Sequence, residues 1–328
     1  TDLTELQKKK YRILDNKLAD LAEWNIENLK IELAEIDDAD LTGLFDDLDL
    51  WLDEVLDVDD EKEDNIPAVP ETPRVQLGDV FELGSHRLIC GDATNLETVE
   101  QLMDGQQADL VITDPPYNVN YEWSSGMKIQ NDDMSNADFY QFLYDVYTNM
   151  CTVQKDGWSI YVFHADTEGE NFRKAMVNAG YKLSQCLIRV KNSLVMGRQD
   201  YHWKHEPILY GWKKNGAHQW YSDRSQTTVW NFDKPLKNDI HPTMKPIEII
   251  VYALNNSSKK WELVLDLFGG SWSTLIACEK TARKCCTMEL DPKYTQVIIQ
   301  RYYEYTKGKK TISCLNRKIK LKDHLSLS

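Results

Sequence analysis

Four acidic side chains have the type and the position that chemistry at the edge of a sheet requires. Asp92, Asp114, Asp266 and Glu289 each lie at or near the end of a short apolar run. Such runs predict strands, and in an open parallel sheet ligands bind where the strands end. A turn or a helix cap is the alternative role, and it is the favoured one for Asp92 or Glu289 taken alone. Together, the four residues predict a site.

The tetrapeptide 114–117 (Asp-Pro-Pro-Tyr) carries the most specific chemistry. Pro115 and Pro116 end the strand, remove two backbone donors and fix φ, so the Asp114 carboxylate and a carbonyl oxygen become rigid acceptors beside Tyr117. This arrangement suits a planar ligand with an NH2 group, because the ring stacks on its face while the acceptors take both amine hydrogens. Those hydrogen bonds favour a pyramidal nitrogen with a free lone pair, which stabilises the transition state for attack.

Short apolar runs alternate with helical stretches after residue 75, a pattern typical of a mostly parallel sheet covered by helices. The predicted strands are 86–92, 108–114, 158–164, 181–190, 261–268 and 284–290, and the predicted helices are about 137–150 and 167–179, one after Lys245, one through Ile276 and one at about 294–305. The segment 191–240 has no clear period. The four acidic residues therefore belong to strand ends of one α/β domain.

An acidic segment precedes this domain. The 328 residues carry a net charge of −15, and residues 1–65 hold 22 Asp and Glu against 7 Lys and Arg, so the remaining chain is balanced. Apolar residues at helical spacing predict amphipathic helices in this segment, and 57–73 has the charged, Pro-rich composition of a linker. We expect an acidic helical segment at 1–65, the α/β domain at 66–318 and a tail at 319–328.

The composition argues against a membrane protein and against a disulfide-stabilised one. No run of 18 apolar residues exists and the first residues lack the apolar core of a signal peptide, so we expect a cytoplasmic protein. The seven cysteines form no Cys-x-x-Cys pair, which favours reduced thiols. His202 and His205 have no third ligand at a useful spacing, so we expect no metal site.

Three motifs in their order resemble the β-class amino-methyltransferases of DNA. They are Asp-Pro-Pro-Tyr at 114–117, His-Pro-Thr-Met-Lys-Pro at 241–246 and Phe-x-Gly-x-x-Ser at 268–273. In that class the catalytic motif precedes the cofactor motif, as it does here, and the resemblance covers about residues 75–306. It implies a Rossmann-like, mostly parallel sheet with a target-recognition insertion, S-adenosylmethionine as cofactor and double-stranded DNA as partner.

Two further segments, 201–212 and 227–230, resemble the modification methylases of phages and prophages. In many of those proteins a ParB-like domain precedes the methylase. Residues 11–56 resemble the helical end of such a domain, and we expect its front part to be absent from this chain. A second copy of the chain, forming a homodimer, is a further candidate partner.

The resemblance implies a role for each matching residue. Asp114 and the Pro115 carbonyl would hold the target amine, while Tyr117 would stack on the extruded base. The implied cofactor residues are Asp92 at the adenine, Glu289 at the ribose hydroxyls, Phe268 and Gly270 against the cofactor, Thr243 and Lys245 near its methionine end, and Asp266, Ser271 and Ser273 of the glycine-containing motif. For Glu289 the spacing alone agrees, because dinucleotide folds place a ribose-binding acid about twenty residues after a glycine turn.

Trp272 departs from the family pattern. The family has a second glycine in Phe-x-Gly-Ser-Gly, whereas this chain has Trp after Phe268-Gly269-Gly270-Ser271. Glycine there lets the backbone approach the cofactor, and an indole either fills the cofactor pocket or swings outward from the first helical turn. The two positions of the indole predict different effects on cofactor binding.

The segment of about 190–240 is the expected target-recognition region. Residues 185–240 hold nine Lys and Arg against five acidic residues, together with four of the ten Trp. Cations bind phosphates and aromatic rings stack on or wedge between bases, so this mixture suits DNA. We expect three of these four Trp in the core, because Trp is well buried on average.

The function expected from the sequence is methyl transfer to the N6 amine of adenine in DNA, on a base extruded into the pocket. Cytosine N4 presents the same amine and is the close alternative, although Asp at the first motif position favours adenine in this class. A catalytically impaired DNA-binding homologue, with Trp272 in the cofactor site, is a second alternative. A scaffold built on the acidic helices is a third.

Overall fold

In the part of the chain that the structure describes, one mixed sheet with helices on both faces forms the fold. The computed structural model describes residues 67, 69–119, 132–195, 200–232, 245–271 and 273–318. Within these ranges the strands are β1 (Val80–Leu83), β2 (His86–Cys90), β3 (Leu110–Thr113), β4 (Ser159–Phe163), β5 (Tyr181–Val195), β6 (Trp203–Lys213), β7 (Val229–Asn231), β8 (Leu263–Asp266), β9 (Lys284–Glu289) and β10 (Ile312–Cys314). The predicted acidic helices of 1–65 and the tail 319–328 lie outside the described residues.

Five parallel strands make the centre of the sheet. The strand order is β10-β1-β2-β9-β8-β3-β4-β6-β5-β7, and β2, β9, β8, β3 and β4 are mutually parallel. The strands β3 and β4 are buried at every position, as expected of strands covered on both faces. The predicted α/β class with a Rossmann-like, mostly parallel sheet is confirmed.

Six helices cover the sheet in the described ranges. They are α1 (Leu96–Met103), α2 (Asn136–Val153), α3 (Gly169–Asn178), α4 (Ile247–Ser257), α5 (Ser273–Lys280) and α6 (Pro292–Tyr305). Ile160 of β4 packs in the core with α1, α2 and α3, whereas the Tyr161 hydroxyl meets Ser257 of α4 at 2.7 Å. Because successive strand side chains point to opposite faces, α4 covers the other face. None of these helices is long and apolar enough to cross a membrane.

Local sequence explains where several helices begin. Ser135 caps α2 by accepting a hydrogen bond from the Asp138 amide at 3.2 Å. Asp291 caps α6, and Pro292 follows at the first helical position, where its missing N–H has no helical partner to lose. Each predicted strand and helix between 86 and 305 is confirmed, with ends shifted by a few residues.

The sequence pattern did not predict β1, α1, β6, β7 or β10. The long strand β6 is the instructive case, because six consecutive residues, 206–211, are buried and no alternation of polar and apolar residues remains. It also contains Pro207, a residue that argues against a strand interior. The structure therefore corrects the prediction that 191–240 lacks regular elements: β5 continues to Val195, and β6 and β7 follow.

Candidate active site at the carboxyl edge of the sheet

The four acidic residues come to one edge of the sheet, as predicted. β3 and β8 are neighbours with Val111 level with Leu265, so Asp114 and Asp266 end adjacent parallel strands. On the other side of β8, strand β9 ends with Glu289, and Asp92 follows β2 next to it. Chain order reverses between β3 and β8, which is the switch point where open sheets bind ligands.

The prolines end β3 as predicted, and the loop beyond them is held by side chains. The Tyr117 amide donates to Asp132 Oδ1 at 3.1 Å. Asn118 has a left-handed φ of 57°, and its side-chain oxygen accepts from the Met134 amide at 2.6 Å. Asn tolerates this conformation better than most residues. The tetrapeptide is therefore fixed at both its strand end and its loop end.

Both carboxylate oxygens of Asp114 accept hydrogen bonds from the chain itself. The Lys245 ammonium donates to Oδ2 at 2.8 Å, and the Tyr117 hydroxyl lies 2.6 Å from Oδ1. Lys245 Nζ also lies 3.1 Å from the Tyr117 hydroxyl oxygen. The resemblance placed Lys245 beside the cofactor, and the structure brings its ammonium to Asp114.

Sequence reasoning did not identify Glu206, which completes this group. From β6, Glu206 Oε1 lies 3.2 Å from Lys245 Nζ and 3.0 Å from the Tyr117 hydroxyl. Its Oε2 accepts from Arg189 at 3.0 Å, and these two residues are directly opposite on β5 and β6. We call Asp114, Tyr117, Arg189, Glu206 and Lys245 the Asp114 cluster.

Opposite charges nearby keep two buried groups of the Asp114 cluster, Glu206 and Lys245, ionised. Burial opposes the ionised form of Glu206, but Lys245, Arg189 and Lys191 outweigh it and lower the pKa of Glu206 to about 2. Burial likewise opposes the charged form of Lys245, yet Asp114 and Glu206 raise its pKa. Buried charges persist only when they are paired in this way.

Asp266 receives hydrogen bonds from neutral donors. Its Oδ1 accepts from the Phe268 amide at 3.0 Å, and its Oδ2 accepts from the Thr274 hydroxyl at 2.7 Å. Burial dominates these hydrogen bonds and raises the pKa of Asp266 to about 7. Ser273, at the start of α5, donates to the Lys245 carbonyl at 2.8 Å, which ties the glycine-containing motif to the Asp114 cluster.

Glu289 faces the backbone of the turn Gly269–Ser271. Its Oε1 accepts from the Asp291 amide at 2.9 Å, and a Cβ on Gly270 would lie 3.2 Å from Oε2. A Cβ on Gly269 would lie only 2.6 Å from Thr287 Oγ1, so this position requires glycine. Burial raises the pKa of Glu289 to about 7. We call Asp266, the glycine turn and Glu289 the glycine corner.

The model of the N6/N4 methyltransferase family, described as DNA methylase, matches residues 108–301, which span both β3 and β9. The chain belongs to the DNA methylase family.

Known relatives of this methylase agree with the family. The DNA adenine methyltransferase YhdJ of Escherichia coli strain K12 is 21% identical over 229 residues, covering 60% of this chain and 76% of YhdJ. The M1.HpyAVI–SAM complex has a TM-score of 0.51 at 18% identity, covering 66% of this chain and 98% of that one. The cytosine-N4-specific PvuII DNA methyltransferase has a TM-score of 0.53 at 15% identity, covering 69% and 94%. At these identities the two structures show the shared fold.

Asp92 of this methylase adopts the alternative role that the sequence left open. It is exposed, and its Oδ1 accepts from the Thr94 amide at 2.9 Å and from the Thr94 hydroxyl at 2.8 Å, which makes a tight turn before α1. A contact of Asp92 with the cofactor adenine stays a prediction. Thr243 and Trp272 lie outside the described residues, and Ser271 belongs to the glycine turn.

The Trp residues of segment 190–240, where the sequence predicts target recognition, are less buried than expected. Of the four Trp, only Trp230 is buried, so the prediction of three core Trp is wrong. Trp212 and Trp220 instead line a cavity of about 370 Å³ beside Tyr210, near the start of β4 and away from Asp114. At the Asp114 edge, Tyr201 precedes β6 and is 90% exposed.

Proposed function

We propose that this methylase transfers a methyl group from S-adenosylmethionine to the exocyclic N6 amine of adenine in DNA. The observation that carries the proposal is the position of the Asp114 carboxylate, which ends β3 next to β8 and the glycine corner. A base amine held at Asp114 would therefore lie beside a cofactor held by the neighbouring strand ends. Family membership supplies the reaction class, and the Asp-Pro-Pro-Tyr tetrapeptide supplies the acceptor.

The glycine corner fits the proposed cofactor. Gly270 leaves no Cβ between the turn and Glu289, and Glu289 Oε2 faces this space as an acceptor for ribose hydroxyls. Phe268, partly buried against Phe142 with ring centroids 6.0 Å apart, offers an apolar wall. When bound, S-adenosylmethionine supplies a methyl group on a sulfonium sulfur, which leaves as a neutral thioether. The M1.HpyAVI structure of the same fold is a SAM complex.

Residues of the Asp114 cluster would prepare the amine. Asp114 and the Pro115 carbonyl would accept its two hydrogens, and the Tyr117 ring would stack on the extruded base. These hydrogen bonds would leave the nitrogen lone pair free for the methyl group that the cofactor supplies. The Asp114 carboxylate, within hydrogen-bond reach of the amine, would accept the proton that the methylated amine loses.

Adenine is favoured over cytosine by the first residue of the tetrapeptide. In the β-class that the sequence resembles, Asp at this position is associated with adenine and Ser is more common for cytosine. YhdJ, which shares 21% identity, is a DNA adenine methyltransferase. The PvuII enzyme with the same fold is specific for cytosine N4, so the fold leaves the base open.

DNA would approach the Asp114 edge along the β5–β6 hairpin. Both strands continue beyond β4 at this edge, where Val195 pairs with Trp203. The exposed Tyr201 and Lys204 lie at this end of the hairpin and are suited to contact bases and phosphates. We propose that this end of the 190–240 region recognises the target.

The test is methylation of plasmid DNA with isotopically labelled S-adenosylmethionine, followed by digestion to nucleosides and mass spectrometry. Labelled N6-methyladenine is the expected product. Labelled N4-methylcytosine would correct the base but keep the reaction. If neither is labelled and calorimetry detects no cofactor binding, the impaired DNA-binding homologue is the correct alternative and the proposal is wrong.

A further inference from the structure

The acceptor that the target amine needs is already occupied. Tyr117 donates to one oxygen of Asp114 and Lys245 donates to the other, at 2.6 and 2.8 Å. An ionised carboxylate accepts several hydrogen bonds, but a charge-assisted bond from an ammonium is stronger than one from a neutral amine. The amine of a base therefore has to compete with Lys245 for Asp114.

The Lys245 ammonium cannot leave Asp114 by turning into solvent. Its side chain is 5% exposed, and its three closest polar partners are Asp114, the Tyr117 hydroxyl and Glu206. The Phe163 ring lies on a further side, with its centroid 4.9 Å from Nζ. An ammonium displaced from Asp114 without another carboxylate would be a buried unpaired charge, which is costly.

Glu206 offers that second carboxylate within reach. Its Oε1 already lies 3.2 Å from Lys245 Nζ, so the ammonium can transfer its main hydrogen bond with little movement. Arg189 holds the other oxygen at 3.0 Å from the opposite strand, which fixes the orientation of Glu206. Glu206 itself is 7% exposed and ionised, as its lowered pKa shows.

We infer that Glu206 is a positioning residue that retains the Lys245 ammonium when the target amine replaces it at Asp114. The inference rests on the proposed function and adds a step to it. In the resting enzyme Lys245 bridges Asp114 and Glu206, and in the substrate complex it pairs with Glu206 alone. Glu206 contacts neither the base nor the cofactor in this exchange.

The exchange predicts a specific defect in Glu206→Gln. Gln has nearly the same shape but no charge, so Lys245 keeps Asp114 as its only carboxylate and competes more strongly with the amine. We expect kcat/KM for DNA to fall about 10- to 100-fold, the factor of one lost charged hydrogen bond. S-adenosylmethionine affinity should stay within twofold. Glu206→Asp, which keeps the charge, should recover part of the loss.

The matched control is Glu279→Gln. Glu279 is a partly buried carboxylate that meets His86 at 2.5 Å and the Tyr302 hydroxyl at 2.9 Å, on the far side of β9 from Asp114. Loss of the Glu279 charge should lower the melting temperature without changing the turnover per folded molecule. Melting curves for both variants separate a general loss of stability from the defect that the inference predicts.

A double-mutant cycle with Lys245→Met gives a readout that a merely structural Glu206 would not move. Without the ammonium no cation competes with the amine for Asp114, so adding Glu206→Gln to Lys245→Met should change kcat/KM less than twofold. Should Glu206→Gln alone fail to fold, Lys245→Met carries the test by itself. Removing the competitor should then lower KM for DNA at least twofold, and an unchanged or raised KM overturns the inference.

The pH profile provides a second check. The groups that face Lys245 are Asp114 and Tyr117 after β3, Phe163 of β4, Arg189 and Lys191 of β5, and Glu206 of β6. Removing the Glu206 charge lowers the pKa of Lys245, so raising the pH to 9.5 should deprotonate more of it and release Asp114. The Glu206→Gln defect should therefore shrink between pH 7 and pH 9.5.

These measurements separate the inference from the proposed function. A parent protein that methylates no DNA overturns the proposed function, and the inference with it. An active parent with Glu206→Gln equal to it, or with a defect as large in the Lys245→Met background, overturns the inference alone.

Discussion

Carboxylates at the two ends of the candidate site have pKa values that are shifted in opposite directions. In the Asp114 cluster, Glu206 is paired with two cations of the chain and its pKa falls to about 2. In the glycine corner, Asp266 and Glu289 receive hydrogen bonds from backbone amides and a hydroxyl, and burial raises both pKa values to about 7. Both regions lie at the carboxyl edge of one sheet, where Asp114 and Asp266 end the neighbouring strands β3 and β8.

The two regions therefore suit different ligands. The Asp114 cluster contains its own cations, Lys245 and Arg189. A ligand that binds Asp114 would therefore have to replace the Lys245 ammonium there. The glycine corner has one buried and one partly buried acidic group, Asp266 and Glu289, whose described partners are neutral donors. This suits a ligand that brings hydroxyl groups and a positive charge of its own. A sulfonium cofactor with a ribose has both properties.

Asp114→Ala should have the largest effect. It removes the proposed acceptor of the target amine, and losing one such preorganised contact costs about 100- to 1000-fold in kcat. S-adenosylmethionine affinity, measured by calorimetry, should remain nearly unchanged because the glycine corner is intact. The exposed Asp104 provides the control Asp104→Asn, which should be as active as the parent. Substantial turnover in Asp114→Ala would contradict the assignment of Asp114.

Substitutions of Tyr117 should separate the contribution of its ring from that of its hydroxyl. Stacking on an extruded base is worth about 1–3 kcal/mol, so Tyr117→Ala should lose about 5- to 150-fold in kcat/KM. Tyr117→Phe keeps the ring but loses the hydroxyl that meets Asp114, and Tyr117→Trp enlarges the stacking face. Both should be much less impaired than Ala in steady-state assays. Equal defects in all three would show that the hydroxyl matters and the ring face does not.

The pH dependence of cofactor binding should distinguish the glycine corner. Because the pKa of Glu289 is about 7, most of it is protonated at pH 6 and ionised at pH 8. The ionised form is the better acceptor for ribose hydroxyls, so affinity should weaken by up to about tenfold as the pH falls from 8 to 6. Glu289→Gln should bind weakly, and its profile should be flatter than that of the parent because only Asp266 of the glycine corner still titrates in this range. A parent profile no steeper than that of Glu289→Gln would refute the role of Glu289.

The smallest expected effect is that of Trp272→Gly. If the indole fills space that the cofactor needs, the variant should bind S-adenosylmethionine more tightly and turn over faster. Stability should not improve, because Gly near the start of a helix is roughly 0.5–1 kcal/mol worse than Ala. Calorimetry on parent and variant under identical conditions makes the comparison. Equal affinity would mean that the indole points away from the pocket.

The sequence predicted the edge of the sheet well because its signals are local. Apolar runs ending in Asp114, Asp266 and Glu289 report strand ends directly, and the prolines show where β3 stops. The glycine turn was also predicted. Within it, the position where an added Cβ would come closest to a neighbouring atom is Gly269 rather than the predicted Gly270. These features depend on neighbouring residues in the chain, so a single sequence contains them.

Glu206 was missed because its role depends on a strand that the pattern hides. Six buried residues in succession and Pro207 conceal β6, and Arg189 is brought opposite Glu206 only by pairing with β5. A signal did exist: a charged residue directly before an apolar run needs a partner if the run is a buried strand. Lys245 was found by resemblance, but its contact with Asp114 spans 131 positions and no local pattern reports it.

The pairing of β3 with β8 also sets an order for biosynthesis. Leu110 lies beside Val264, so about 150 residues must leave the ribosome before the centre of the sheet can close. Until then β3 presents an open strand edge, and such edges invite pairing with other chains. A polypeptide that terminates before Leu263 would contain β3, β4 and the Asp-Pro-Pro-Tyr sequence but would lack β8 on the other side of β3. We therefore expect truncation products of this length to aggregate rather than to persist as partly active fragments.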